Sequence, residues 1–378
     1  MSFEILRDDL LDRIRARADR YDRENTFFDE DLDELRAAGY LAAFVPVSLG
    51  GHGLDLIQAQ ALQRALAQAA PATALALNMH LVWTGVARYL FERGDASLEF
   101  VLRDAAAGEI FAFGISEAGN DAVLLDSRTT AEPDGDGGYR FTGRKIFTSL
   151  APGWTRLGLT GRDDSDPEDP RLIYAFIDRG PGVTHPDDWD TIGMRASQSR
   201  STVLDGAYAP ADRVVRRLSP GPNPDPLLFA IFAHFELLLS AVYTGIAERA
   251  LAITVADARE GRPIQDQPRR ENPDVRRRVA GLAMDLDGLA AALENICRDV
   301  DADAAHGALW FPKLSAMKVR ATEGAARIVD GAVQARGGRS FFAGDELGRL
   351  SRDVRAGIFH PSSTDSTHAS WARALLDD

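Results

Sequence analysis

QARGGRSFFAGDELGRLSRDVRAGIFHP, Gln334–Pro361, is the stretch from which the rest of the chain can be read. Just before it, Ala325, Ile328, Val329 and Ala332 recur at helical spacing, so a helix is expected to run into Gln334. Gly337 and Gly338 then end that helix, because glycine turns through φ > 0 without steric cost. Backbone amides bared at such a turn can meet a phosphate. Next comes an arginine-rich helix, ELGRLSRDVR (Glu346–Arg355), and then IFHP (Ile358–Pro361), where proline stops the helix beside a histidine.

Outward from this stretch the chain divides into helix, strand and helix. From Phe3 to about Ala107 the pattern is helical, with Leu10, Leu11, Ile14, Ala16 and Ala18 on one face. VPVSLGGHGLD (Val45–Asp55) has the glycines of a phosphate loop but neither its lysine nor its preceding strand, so a tight helix-to-helix connection is expected. Between Phe111 and about Arg216 the period changes to two, and Asp134–Gly138 is a strong hairpin signal. LSPGPNPDP (Leu218–Pro226) breaks both helix and strand, and three long helices follow over Leu227–Arg259, Asn272–Val300 and roughly Leu309–Gln334. The expected organisation is an α+β chain. Residues 1–110 form a helical domain, 111–216 an antiparallel β-barrel or sandwich, 217–225 a linker and 226–378 a four-helix bundle.

Composition excludes several function classes. With 45% hydrophobic and 26% charged residues, 378 residues suffice for a layered core and do not read as disordered. Lys plus Arg 43 against Asp plus Glu 57 gives net −14, which disfavours nucleic acid and anionic membrane as partners. The single cysteine, Cys297, falls in a helical pattern and reads as a packed thiol, which suits a reducing cytoplasm. The N-terminus is charged and amphipathic, not a signal peptide, and the apolar run from Leu227 to Ala241 is interrupted by His234 and Glu236, so no membrane span is expected. His52, His185, His234, His306 and His368 lack ligand spacing, so no metal is expected.

Gln334, the glycine pair and the Arg-Asp helix resemble the C-terminal signature of the acyl-CoA dehydrogenase superfamily, whose helix, β domain, four-helix bundle order this chain follows over nearly its whole length. The resemblance implies a flavin, FAD with FMN as the alternative, because REGRPIQ (Arg259–Gln265) replaces an Arg-x-x-Phe-Gly segment that helps hold the adenine. It gives Gln334, Gly337 and Gly338 contacts to an adenine dinucleotide across a subunit boundary, hence a homo-oligomer, dimer or tetramer. FGISEAGND (Phe113–Asp121) is similar to the family's Thr-Glu-Pro-Gly-Ala-Gly-Ser-Asp segment and gives flavin contacts to Phe113, Ile115 and Ser116. KIFTS (Lys145–Ser149) is similar to Lys-x-Trp-Ile-Thr, which puts Phe147 over the flavin and Ser149 near its reactive nitrogen.

One departure decides the chemistry. Where common dehydrogenases carry a glutamate followed by Gly-Thr, this chain has Pro361, Ser362 and Ser363, so the usual carboxylate base is absent and Ser363 is left as a flavin contact. Glu236 is the one carboxylate expected near the bundle centre and is the substitute base to consider. The first expectation is hydride transfer from an acyl-CoA or similar acyl thioester to flavin, with an electron-transfer flavoprotein as partner. The alternative is a two-component monooxygenase fed by a flavin reductase and using His80, Ser149 and His360, which match polar positions of the family's flavin-dependent monooxygenase branch. A third reading is a catalytically silent member.

Overall fold

The structure, a computed structural model, describes residues 5–120, 124–264 and 266–377. Five helices open the chain: α1 (Asp8–Glu24), α2 (Asp29–Ala37), α3 (Leu56–Ala69), α4 (Pro71–Glu92) and α5 (Glu99–Ala106). The glycine-rich turn before α3 is the expected tight connection. A Cβ on Gly51 would lie 2.3 Å from Val45, and Asp55 starts the helix by accepting from the Gln58 amide at 2.8 Å while Gln58 accepts from the Asp55 amide.

Eight strands follow: β1 (Phe111–Gly114), β2 (Thr130–Pro133), β3 (Tyr139–Lys145), β4 (Arg156–Asp163), β5 (Arg171–Asp178), β6 (Val183–Thr184), β7 (Thr202–Ala209) and β8 (Val214–Leu218). They form one sheet in the order β6-β7-β3-β2-β4-β5-β8, with β1 also paired to β4. The sheet is mixed, which corrects the antiparallel expectation. β2–β3 is the hairpin announced by Asp134–Gly138, but β1 runs parallel to β4. The chain leaves β1 through a long crossing segment instead of a hairpin, so β1 joins the sheet in the same direction as β4.

One buried ion pair locks that crossing segment. Lys145 Nζ at the end of β3 lies 2.6 Å from Glu117 Oε1, with the two side chains 0% and 2% exposed. Glu117 also accepts from the amides of Arg128 and Thr129 and from the hydroxyls of Ser127 and Thr129. Burial opposes its charged form, but Lys145 and these donors hold its carboxyl down at about 2.

The C-terminal part contains α6 (Pro226–Glu260), α7 (Pro273–Asp301), α8 (Trp310–Arg336), α9 (Glu346–Asp353) and α10 (Thr364–Leu376). α6 packs against α3, α4, α7 and α8, and therefore is apolar nearly all round. Among the described residues it is the one helix long and apolar enough to cross a membrane, yet 83% of its most apolar window is buried inside the fold. α9 ties the parts together: Arg352 meets Asp22 of α1, Asp353 accepts from the Met194 amide at 2.6 Å, and Glu346 forms a two-bond pair with Arg249 of α6.

Lys145→Met leaves the Glu117 charge buried and uncompensated, so unfolding by urea should show a loss of about 3–5 kcal/mol, with part of it recovered in Glu117→Gln/Lys145→Met. A loss below about 1 kcal/mol would show that the pair does not hold the crossing segment.

Candidate active site

The segment following β3 is held between two others. Ile146 donates to the Ser116 carbonyl at 2.9 Å, Thr148 to the Arg200 carbonyl at 3.1 Å and Leu150 to the Ser197 carbonyl at 3.2 Å. Within it Phe147 has φ +56° and a ring 56% exposed, meeting Trp189 edge-on. A bulky residue in the left-handed region with an uncovered ring is held there by its surroundings and marks a ligand face. Next to it, Thr148 Oγ1 is buried with no partner. Ser149 Oγ lies 2.8 Å from Ser199 Oγ, which lies 2.8 Å from Ser197 Oγ, so three hydroxyls form a chain that can pass a proton without burying a charge. An aromatic face beside an unpaired hydroxyl fits a flavin ring, which needs a stacking surface on one side and hydrogen-bond donors at its edge. Thr148 was missed from sequence because the family's motif has isoleucine there.

A second candidate cluster is the turn at residues 360–362. His360 Nε2 lies 2.9 Å from the Tyr243 hydroxyl on α6. Lys318 Nζ on α8 donates to the carbonyls of His360 at 2.7 Å and Ser362 at 3.0 Å. Glu236 Oε1 accepts from the Ser362 amide at 3.1 Å and its hydroxyl at 2.9 Å, whereas Oε2 is buried without a partner. Burial pushes the Glu236 carboxyl up to about 8 and the Lys318 ammonium down to about 8. Burial, reinforced by Lys318, holds His360 at about 3, so its ring is neutral at ordinary pH.

The other expected residues distribute unevenly. Phe113 on β1 stacks on Phe235 of α6 with centroids 5.4 Å apart, Ile115 is buried and Ser116 anchors Ile146, so these three lie along the held segment. Asp121, which closes that motif, lies outside the described residues. His80 does not join the site. It is fully buried, Nε2 lies 2.8 Å from the Leu41 carbonyl and Nδ1 accepts from the Phe111 amide, so its ring nitrogens are spent on backbone and its role is packing. Ser363 caps α10 by accepting from the Ser366 amide, which uses the oxygen expected at the flavin. Gln334 accepts from Arg278, and Gly337 and Gly338 are exposed with open space beside them; no described hydrogen bond links them to Ser149 or His360. Glu236, expected as a substitute base, already accepts two hydrogen bonds on Oε1 and has no exposure.

The acyl-CoA dehydrogenase N-terminal domain family matches residues 4–99 and the acyl-CoA dehydrogenase C-terminal domain family residues 237–364. L-evernosamine nitrososynthase of Micromonospora sp. is 31% identical over 367 residues, spanning 93% of this chain and 84% of that one. The chain belongs to the acyl-CoA dehydrogenase family. This family member is also 29% identical to dibenzothiophene monooxygenase of Rhodococcus qingshengii, over 93% of this chain and 88% of the relative. Among solved structures, KijD3 in complex with FMN and dTDP-3-amino-2,3,6-trideoxy-4-keto-3-methyl-D-glucose superposes with a TM-score of 0.86 at 32% identity, covering 97% of this chain and 91% of that one. The protein is thus a flavoprotein oxidoreductase of acyl-CoA dehydrogenase type, and the silent reading is set aside.

Since His360 is held at about 3 against an ordinary 6.5, the folded chain binds fewer protons than the unfolded chain between those values. Its contribution to stability is therefore complete above 6.5 and lost as pH falls toward 3. Comparing urea midpoints at neutral and mildly acid pH, His360→Gln should lose less stability on acidification than the parent; equal losses would contradict a ring held neutral in the fold.

Proposed function

We propose that this protein is a flavin-dependent monooxygenase that inserts oxygen at a heteroatom of a small molecule, with the amine of a nucleotide-linked amino sugar as the substrate class to test first. One observation carries this: the turn that holds a base in dehydrogenases has no carboxylate, and the nearby Glu236 has no exposure, its Oε1 held by Ser362 and its Oε2 closed off inside the fold. Abstraction of an acyl α-proton therefore lacks an exposed carboxylate base. The similarity to nitrososynthases and to a structure holding an amino sugar nucleotide supports the nitrogen substrate.

Reduced flavin, when bound, supplies the two electrons and the ring at which oxygen reacts. In the net reaction one oxygen atom enters a new N–O bond and the other leaves as water, the electrons coming from flavin recharged by a separate reductase. Phe147 would stack on the ring, and Thr148 Oγ1 and Ser149 Oγ would donate to its edge. The Ser149–Ser199–Ser197 hydroxyl chain could pass a proton along the site. Tyr243 keeps its own proton, because burial raises its pKa well above 10, and by donating to His360 Nε2 it leaves the proton on Nδ1. His360 then offers a neutral N–H donor that neither captures the amine's proton nor adds charge. Neutral His360 also leaves the amine free to react as a nucleophile. A homo-oligomer, expected as a homotetramer, would cover Phe341, Phe342, Ile358 and Phe359, which are all strongly exposed in the single chain.

With reduced FMN, oxygen and a dTDP-linked amino sugar, the wild type should form the hydroxylamine. His360→Ala and Ser149→Ala should each lower kcat by about 10²-fold, the usual worth of a positioned proton donor. Full activity in both variants would overturn the assignment.

A further inference from the structure

Two helices reach the 360–362 turn with buried ionisable side chains. Three of the turn's backbone groups are satisfied by them: the Ser362 amide by Glu236, and the His360 and Ser362 carbonyls by Lys318. Glu236 and Tyr243 stand seven residues apart on α6, two helical turns, and so share a face. The backbone side of the turn is therefore registered on α6 through Glu236, and the imidazole through Tyr243. Thr322 and Tyr243 pack so closely against Gly357 that a Cβ there would lie 2.8 Å and 3.0 Å from them, which leaves the approach to the turn little freedom.

We propose that Glu236 is a positioning residue for His360: by holding the Ser362 amide and hydroxyl it keeps the His360 ring on Tyr243. This rests on the reading that His360 acts at the flavin. Glu236 has no exposure, its Oε2 is closed off inside the fold and its Oε1 is bound to Ser362, so it acts through the turn and not on substrate. The charged or titratable groups around it are Lys318 and Glu323 from α8, Tyr243 on its own helix, Asp353 from α9 and His360 itself. Without the Glu236 carboxyl, Ser362 keeps two unmatched donors and Lys318 an uncompensated charge, so the turn relaxes from α6 and His360 leaves Tyr243 for water.

The test reads the His360 imidazole by NMR, its signal identified by its loss in His360→Ala, together with kcat and FMN affinity for the same variants. In the parent and in Glu236→Gln, whose amide oxygen still accepts both Ser362 bonds, the ring should stay neutral throughout the mildly acid range. In Glu236→Ala it should titrate near the ordinary histidine value, with kcat down at least about tenfold, FMN affinity within about threefold, and Glu236→Gln retaining most of the activity. Ser362→Ala, which deletes only the hydroxyl bond, should move the signal in the same direction by less, and it keeps the test open if Glu236→Ala does not fold. An unmoved His360 signal in both Glu236→Ala and Ser362→Ala would overturn the proposal. So would equal loss of activity in Glu236→Gln and Glu236→Ala with the signal unmoved, since Glu236 would then transfer a proton itself. A shifted signal with no oxygenation in any protein would uphold the positioning role and refute the monooxygenase reading instead.

Discussion

Glu236 on α6 and Lys318 on α8 are both buried and need polar partners, and the turn at residues 360–362 supplies them. That constraint explains why the Gln334–Pro361 stretch dominates the chain. α9 fastens it at one end to α1, the β domain and α6, and Glu236 and Lys318 fasten it at the other. Between these anchors the chain has little choice of path, so His360 arrives at a fixed place with its ring on Tyr243. Burying such groups adds little net stability by itself, because desolvation cancels much of what their hydrogen bonds return. Its effect is to select one arrangement of the turn.

The β domain uses the same device on the other side. Glu117 and Lys145 are buried together, and the donors gathered on Glu117 fix the segment that presents Ser116 opposite Phe147, Thr148 and Ser149. Each of the two clusters thus hangs on a buried glutamate and a buried lysine. The polar groups left for chemistry are hydroxyls and a neutral imidazole, a set better matched to donating hydrogen bonds than to removing a carbon-bound proton.

The order of the elements was legible because helical and strand periods changed cleanly near Phe111 and near Pro226, and the glycine, proline and aspartate signals fell at the turns. Strand direction was not legible, since nothing in the residues of β1 distinguishes an arm of a hairpin from a strand that crosses over to lie beside β4. In the site, motif positions such as Phe147 and Ser149 could be read, and so could the missing base. His80 misled because its residue type and position matched a functional pattern, while its partners are the Leu41 carbonyl and Phe111 amide, which only tertiary structure brings to it. Ser363 misled for a local reason: a serine three residues before another polar residue at a helix start is also a cap. Thr148 and Lys318 escaped notice because neither an unpaired hydroxyl nor a lysine spent on two carbonyls leaves any mark in the sequence.

The central claim is that an oxygen atom is transferred and that no carbon–carbon bond is dehydrogenated. The most direct measurement is the mass of the product formed by the reductase-fed protein under heavy-isotope oxygen gas. One heavy oxygen atom from the gas should be carried on the substrate nitrogen. A product without label and two hydrogens lighter than its substrate, formed from an acyl thioester, would contradict it.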